Sequence, residues 1–512
     1  MTQPHNQDWL DQVVEHVTHM HPMGKLIVSS GHSPSGTYHV GTLREVVTAN
    51  AIAWALRRAG REAEHWDIVD DFDAFRKLPA GVPQSYLQYV GVPLALVPDP
   101  DDCHESYGAH YLQQLNEGLA QLGATPDVQL SGYQNYQAGE LVEQMIQTLD
   151  NLEKVRQILV EVGKRDLEPD WSPVQILDDN NNLRNRKYTG WNSTTRSVSW
   201  IDKTGQTGQS AITSGQVTLG WRLDWPARWA KWSVSAEPFG RDHATKGGSY
   251  DTGKVLVEQI FGGQSPYPVP YEFINTIGET KKMSKSSGNV LTPKDALEVM
   301  PAEILRYFII NPRPSRTLNF DSGLGLFTLV DEFSKARTAQ NLSTTMSYAQ
   351  ASGTEVVAQV PFNHLVAVFQ AARENIAEVR SILVRTGHKV AVEREWPVIE
   401  RELKFVKNWL EKYAPDSVKF DVQEGVPRID LPAEELAFLV TLADLIEVAK
   451  DLNGQGMHDA IYAAAEVALI KPGQAFVALY QVILGQDSGP KAGWFLASLD
   501  KTFLVNRLRL KA

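Results

Sequence analysis

Two separated segments carry the residues best suited to chemistry. Residues 31 to 42 read Gly-His-Ser-Pro-Ser-Gly-Thr-Tyr-His-Val-Gly-Thr, and residues 282 to 286 read Lys-Met-Ser-Lys-Ser. The first places His39 and a run of backbone NH groups at a strand-to-helix turn, where free NH donors and the helix dipole favour an anion. The second supplies Lys282 and Lys285 on a polar stretch that also carries Ser284 and Ser286. Imidazole, ammonium and NH donors together suit a triphosphate and the charge that builds on it during nucleotidyl transfer. Neither segment decides alone, because a histidine at a helix start usually caps or packs and a basic loop is usually just solvated. A P-loop is disfavoured: Gly36 and Gly41 have its spacing, but Thr42-Leu43 stands where Lys-Ser/Thr is needed.

The elements that must hold the first segment can be read around it. Lys25 to Ser29 is a short apolar run that fits a buried parallel strand, and Gly31, Pro34, Ser35 and Gly36 form the turn. From Val40 the apolar residues Leu43, Val46, Val47, Ile52, Ala53 and Leu56 recur at helical spacing until Gly60 stops them. His65 to Val69 is the next strand. Strand, helix and strand make a right-handed crossover of an open α/β sheet, whose ligands sit at the carboxyl ends of the strands. Asp70, Asp71 and Asp73 then share an edge with Gly31 to Thr42.

The 512 residues suggest two to four domains, and 43% hydrophobic with 21% charged residues is ordinary for a globular chain. Neither a secretory leader nor a membrane span is expected, so a cytoplasmic location is expected and no membrane partner. The single cysteine, Cys103, excludes an internal disulfide and a multi-cysteine zinc ribbon; with only His104 beside it, no metal site is expected. The net charge of -12 argues weakly against a nucleic-acid partner, since Arg313 with Arg316, or Arg507, Arg509 and Lys511, could still form basic patches.

The two segments resemble the signatures of class I aminoacyl-tRNA synthetases: His39-Val-Gly-Thr42 the histidine signature, Lys282-Met-Ser-Lys-Ser286 the lysine signature. Longer blocks narrow the resemblance to the class I lysyl-tRNA synthetases. These are Ser30 to Glu45, Asp70 to Pro79, Pro98-Asp-Pro100 with His104 to Tyr107, Trp221 to Trp229, and Glu237-Pro-Phe-Gly-Arg-Asp-His243. Glutamyl relatives carry an arginine four residues before the Ser-Pro, where it can pair with a carboxylate; Ser29 stands there instead, so glutamate is disfavoured. Two features depart from the family. Thr42 ends a motif that usually closes in histidine or asparagine, and residues 170 to 195 lack the cysteines of a zinc element that some members carry. No structural zinc is therefore expected.

The resemblance implies an α/β Rossmann-type catalytic domain with an inserted connecting domain, followed by an all-α C-terminal anticodon-binding domain. The expected boundaries are 1–110 and 215–295 for the two halves of the nucleotide-binding sheet, 111–214 for the acceptor-binding insertion, and 296–512 for the helical linker and anticodon-binding domain. It implies ligation of L-lysine to tRNA(Lys) through a lysyl-adenylate, with ATP as substrate and Mg2+ on its phosphates. His39, Lys282 and Lys285 would be catalytic, and Pro34, Gly36, Gly41, Thr42, Ser284 and Ser286 would bind ATP. Gly31, Ser33, Asp70, Asp71, Trp225, Asp242, His243 and Tyr271 would bind lysine, whose ammonium needs acceptors or π faces to offset desolvation. A monomer is expected, although no residue pattern fixes the oligomeric state. Two alternatives stay open: a non-catalytic lysine- or tRNA-binding paralogue, and an adenylating enzyme that delivers lysine to another acceptor.

Overall fold

Five strands build a wholly parallel sheet at the heart of the N-terminal region. In chain order they are β1 (Leu26–His32), β2 (Ala63–Val69), β3 (Val128–Ser131), β9 (Val234–Gly240) and β10 (Tyr267–Tyr271), and across the sheet the order is β10-β9-β1-β2-β3. This doubly wound order changes direction between β1 and β9, and open sheets of this kind bind ligands beyond the carboxyl ends of the strands at that point. The computed structural model describes residues 8–79, 81–164, 166–276, 291–351, 358–425, 429–449 and 453–511.

The crossover expected from the sequence is present. Helix α1 (Trp9–Met20) precedes β1, α2 (Val40–Arg58) crosses from β1 to β2, and the two strands pair in register from Leu26↔Ala63 to His32↔Val69. Helix α3 (Tyr107–Gln121) then leads to β3, which pairs with β2 from Trp66↔Val128 to Val69↔Ser131. The first half of the sheet thus runs to Ser131 rather than to residue 110. Val-Gln-Leu-Ser is too short and too polar to stand out as a strand in the sequence.

The inserted segment comprises α4 (Gly132–Gln137), α5 (Val142–Asp150) and α6 (Leu152–Glu161), then β4 (Val174–Ile176), β5 (Arg186–Asn192), β6 (Ser197–Asp202), β7 (Thr207–Ala211) and β8 (Val217–Leu219). These strands form an antiparallel sheet in the order β7-β6-β5-β4-β8. The insert therefore spans 132 to 219. Its buried Tyr136, Met145, Leu159, Ile176, Val198 and Trp200 form one apolar cluster with Leu223, Ala227 and Leu256 of the returning helices α7 (Trp221–Trp232) and α8 (Ser249–Gln259).

Beyond β10 come β11 (Ile274–Thr276), α9 (Pro293–Leu297), α10 (Ala302–Ile310) and β12 (Leu318–Phe320), with β11 and β12 paired in parallel. The chain divides into two compact units. The first holds Met1–Leu297, Ala302–Phe320 and Gln340–Gly353, including α12 (Thr344–Ala349). The second holds Glu298–Pro301, Asp321–Ala339 and Thr354–Ala512, so the stretch expected to be one helical region from 296 is shared between the units.

The described residues of the second unit are helical, with α11 (Gly325–Ala336), α13 (Phe362–Ala371), α14 (Ile376–Leu383), α15 (Lys389–Lys412), α16 (Ala433–Val448), α17 (Gly454–Val467), α18 (Pro472–Leu484), α19 (Ala492–Ser498) and α20 (Lys501–Leu508). Phe438, Leu442, Ile461, Leu479, Ile483, Phe495 and Leu504 lie in its core. No single described helix is long and apolar enough to cross a membrane.

Arg44 fixes α2 from within. Its side chain is 1% exposed and donates to the carbonyls of Ile309, Arg313 (3.1 Å) and Pro314 (3.2 Å). One guanidinium thus fastens the helix after the histidine signature to the chain leading into β12. Arg44→Leu should lower stability by about 2–3 kcal/mol through buried acceptors left unpaired, seen as a lower urea midpoint with far-UV circular dichroism retained.

Candidate active site

The strands around the switch point do not stay paired. β1 meets β9 at Ile27↔Val234 and Val28↔Ala236, with a bulge between, while β9 stays paired to β10 as far as Tyr271↔Gly240. Past Val28 and Ala236 a crevice opens, and a cavity of about 420 Å³ occupies it. β1 contributes Ser29, Ser30 and Gly31, β9 contributes Glu237 and Phe239, and one face of α7 contributes Trp221, Asp224, Trp225, Arg228 and Trp229. Pro238 has no NH to leave unpaired on a central strand whose neighbour has moved away, which accounts for a residue normally confined to edges.

Two carboxylates dominate the crevice. Glu237 is 4% exposed and accepts from the indole NH groups of Trp225 (3.1 Å) and Trp229 and from the Ser29 hydroxyl. Glu45, on α2, accepts from Gly31 NH (2.8 Å) and the Tyr271 hydroxyl (2.6 Å). Burial pushes Glu237 up to about 7, against the pull of its indole donors. Burial likewise pushes Glu45 up to about 8, and the nearby Glu237 charge adds to the rise. All of these donors are neutral, so none offsets burial fully and both acids keep their protons to higher pH than a free carboxyl does.

The other acids are already matched. Arg228 bridges Asp70 (2.6 Å) and Asp224 (2.5 Å), and Tyr136 donates to Asp224 at 2.6 Å. Asp73 is driven up to about 7 by burial and by Asp70. Aromatic rings close the remaining wall: Trp225 lies 5.4 Å from Phe239 and 5.5 Å from His243, and Trp221 lies 5.9 Å from His243, centroid to centroid.

Of the residues expected to bind the amino acid, Gly31, Asp70, Trp225 and His243 line this cavity. Ser33, Asp71, Asp242 and Tyr271 do not. Asp71 instead takes the Ser131 hydroxyl (2.5 Å) and Tyr133 NH (2.8 Å), Asp242 is exposed, and Tyr271 reaches the cavity only through Glu45. Glu45 and Glu237 escape sequence reasoning. Glu45 ends one of the blocks that carry the family resemblance and Glu237 opens another, but one sits inside a helix and the other beside a proline in a strand, and nothing local to either marks it as facing a cavity.

The histidine signature sits as expected. His39 occupies the N-cap position of α2, with Gly41 and Thr42 in its first turn, while Pro34 and Gly36 are buried in the preceding loop. Gly36 has φ of 149°, which a side chain would strain. Under the loop, His32 meets the Tyr38 hydroxyl at 2.6 Å and Asp67 at 3.0 Å, and Ser30 donates to Asp67 at 2.7 Å. Lys282, Ser284, Lys285 and Ser286 lie outside the described residues. Leu291, which follows them, accepts from Val40 NH at 2.9 Å, so the chain leaving the lysine signature is bonded to the residue next to His39.

The family of class I (K) tRNA synthetases matches residues 7–359 of this chain. This chain belongs to it. The lysine-tRNA ligase of Archaeoglobus fulgidus is 38% identical over 94% of this chain and 96% of its own length. Lysine-tRNA ligase 1 of Methanosarcina acetivorans is 37% identical over 98% of both chains. Among solved structures, a glutamate-tRNA synthetase of Elizabethkingia anophelis covers 95% of this chain and 99% of its own at 12% identity and a TM-score of 0.42, too distant to bear on substrate.

For a class I (K) synthetase without cysteines in its insert, a second group of donors corrects the reading of Cys103. Asp99, Cys103, His104 and His110 place one ligand atom each within 4.8 Å of one another. Cys103 Sγ lies 3.0 Å from His104 Nδ1 and 3.3 Å from His110 Nδ1, and His110 Nδ1 lies 3.0 Å from Asp99. Tetrahedral zinc with bonds of about 2.0–2.3 Å needs neighbouring donors about 3.3–3.7 Å apart, so the set fits after small adjustments. His110, six residues further along on α3, is what reading Cys103 and His104 alone omits. Elemental analysis should find one zinc per chain, and replacing both Cys103 and His110 by alanine should abolish it; full zinc content in that variant would refute the site.

Proposed function

We propose that this chain joins L-lysine to tRNA(Lys) in two steps, with ATP and Mg2+. The observation that supports lysine most directly is the acid pair under Ser29. Where an arginine would meet the carboxylate of glutamate, this chain has a small hydroxyl, and the Glu237 carboxylate stands against it. The lysine ammonium takes the place between Glu237 and Glu45, with Trp225 offering a π face, so charge-assisted hydrogen bonds and a cation–π contact offset its desolvation. Asp70 is held by Arg228 and serves to orient the wall rather than to meet the ligand.

In the first step an oxygen of the lysine carboxylate attacks the α-phosphorus of ATP. The bond to the bridging oxygen breaks, and pyrophosphate leaves with its electron pair. The protein contributes positioning and charge stabilisation. His39, at the head of α2, donates to a phosphate oxygen, and Lys282 and Lys285 neutralise the β- and γ-phosphates. Mg2+ is held through the phosphates and water. In the second step the terminal 2'-hydroxyl of tRNA attacks the lysyl carbonyl and AMP leaves. The insert meets the acceptor end, and the C-terminal helices read the anticodon.

Charging of tRNA with labelled lysine, run beside pyrophosphate exchange with and without tRNA, tests the whole reading. Charging supports ligation, exchange without charging points to another acceptor, and loss of both points to a binding paralogue. Glu237→Gln should raise KM for lysine about a hundredfold or more while leaving KM for ATP near wild type. Because Glu237 is ionised only above about 7 in the free protein, kcat/KM for lysine should fall as pH drops through that value. A flat pH profile would sink the carboxylate's role. Lys285→Ala should slow adenylate formation by roughly two powers of ten with the fold intact, measured by pyrophosphate exchange at saturating tRNA.

A further inference from the structure

We propose that a second cavity, wholly within the C-terminal helical unit, receives one unstacked base of the tRNA anticodon loop. This rests on the ligation reading above and assigns a site to it.

The cavity has a volume of about 470 Å³, within the range that holds small molecules. Its apolar walls are Phe327, Phe420, Phe495 and Trp494, and its polar side is formed by His364, Thr386 and His388. The two imidazoles face each other with centroids 5.0 Å apart, and His364 Nε2 lies 3.0 Å from the Thr386 hydroxyl. Burial, reinforced by His388, brings His364 down to about 4, and burial lowers His388 as well. Neutral imidazoles each offer one NH donor and one lone pair. That set suits the uncharged hydrogen-bonding edge of a base and does not suit a phosphate. Among the described residues, Lys491 is the one charged side chain lining the cavity.

Two local features shape this wall. Helix α14 runs into a wide turn over Val384–His388, where Gly387 takes φ of 94°. A Cβ at Gly387 would meet nothing within 4 Å, so the glycine is required by its backbone angle rather than by space. Wide helical turns of this kind concentrate at functional sites, and this one carries Thr386 and His388 to the cavity. Trp494, on α19, is 46% exposed, yet its indole lies flat on Gly454, where a Cβ would come within 2.6 Å of the ring. The ring is thus pinned on one side and open on the other. Proteins read single-stranded RNA loops with this pairing, an aromatic platform for the base face and neutral polar groups for its edge.

The test compares charging of tRNA transcripts by wild type, Trp494→Ala and His364→Gln, each checked by circular dichroism, and repeats it with tRNAs abasic at single anticodon-loop positions. Loss of one stacked base costs roughly five- to 150-fold in affinity. Trp494→Ala should raise KM for tRNA by about tenfold or more, and on one abasic tRNA that effect should vanish because the base is already missing. Direct binding of the isolated anticodon stem-loop should weaken in parallel. Unchanged KM in both variants, or the same loss on every abasic tRNA, would overturn the proposal. A wild-type protein that fails to charge tRNA would overturn the ligation reading, and this site with it.

Discussion

Two buried carboxyls without a matching cation are the constraint on which the first unit turns. Glu45 and Glu237 face one crevice, and the groups that hold them are an amide, two indoles and two hydroxyls. Such donors orient a carboxylate but do not cancel its charge. Both pKa values are raised above the 4.5 of a free side chain, so each acid stabilises the fold fully at low pH. That contribution is lost as pH rises through about 7 for Glu237 and about 8 for Glu45. A cation placed between them would restore it. Arg228 already supplies such a cation to the neighbouring Asp70 and Asp224.

The backbone makes that arrangement possible. β1 and β9 stop pairing after Val28 and Ala236, so Glu237 can stand in a fully buried strand and still face a cavity. On the other side of β1, the contacts of His32 with Tyr38 and of Ser30 with Asp67 brace the loop that ends at His39. Arg44 then fastens the helix after that loop to the chain before β12. The loop is held beneath and behind, and Gly31 NH and Val40 NH at its two ends are themselves bonded, to Glu45 and to Leu291.

Local patterns made the first crossover legible. An apolar run, a glycine- and proline-marked turn and a 3.6-residue period locate β1, α2 and β2 to within a few residues. The face of α7 is legible too, since residues 221, 225 and 229 are tryptophans at helical spacing. What is not legible depends on distant segments. β3 is recognisable only by its pairing, Glu45 becomes a site residue only because Tyr271 lies 226 positions away, and Asp99 with His110 completes the Cys103 cluster only when the loop folds back on α3. Pro238 works against its strand locally, and only the departure of β1 makes it tolerable.

The bond from Val40 NH to the carbonyl of Leu291 bears on how the protein is made. A chain leaving the ribosome can form β1, α2 and β2 early, because each contact lies within the first 70 residues. The head of α2 is finished only after another 220 residues or so have emerged, insert included. Until then the nascent chain has the His39 loop without that bond. Assembly of the site is thereby timed to follow synthesis of nearly the whole first unit, and a product truncated ahead of residue 291 lacks that closing bond.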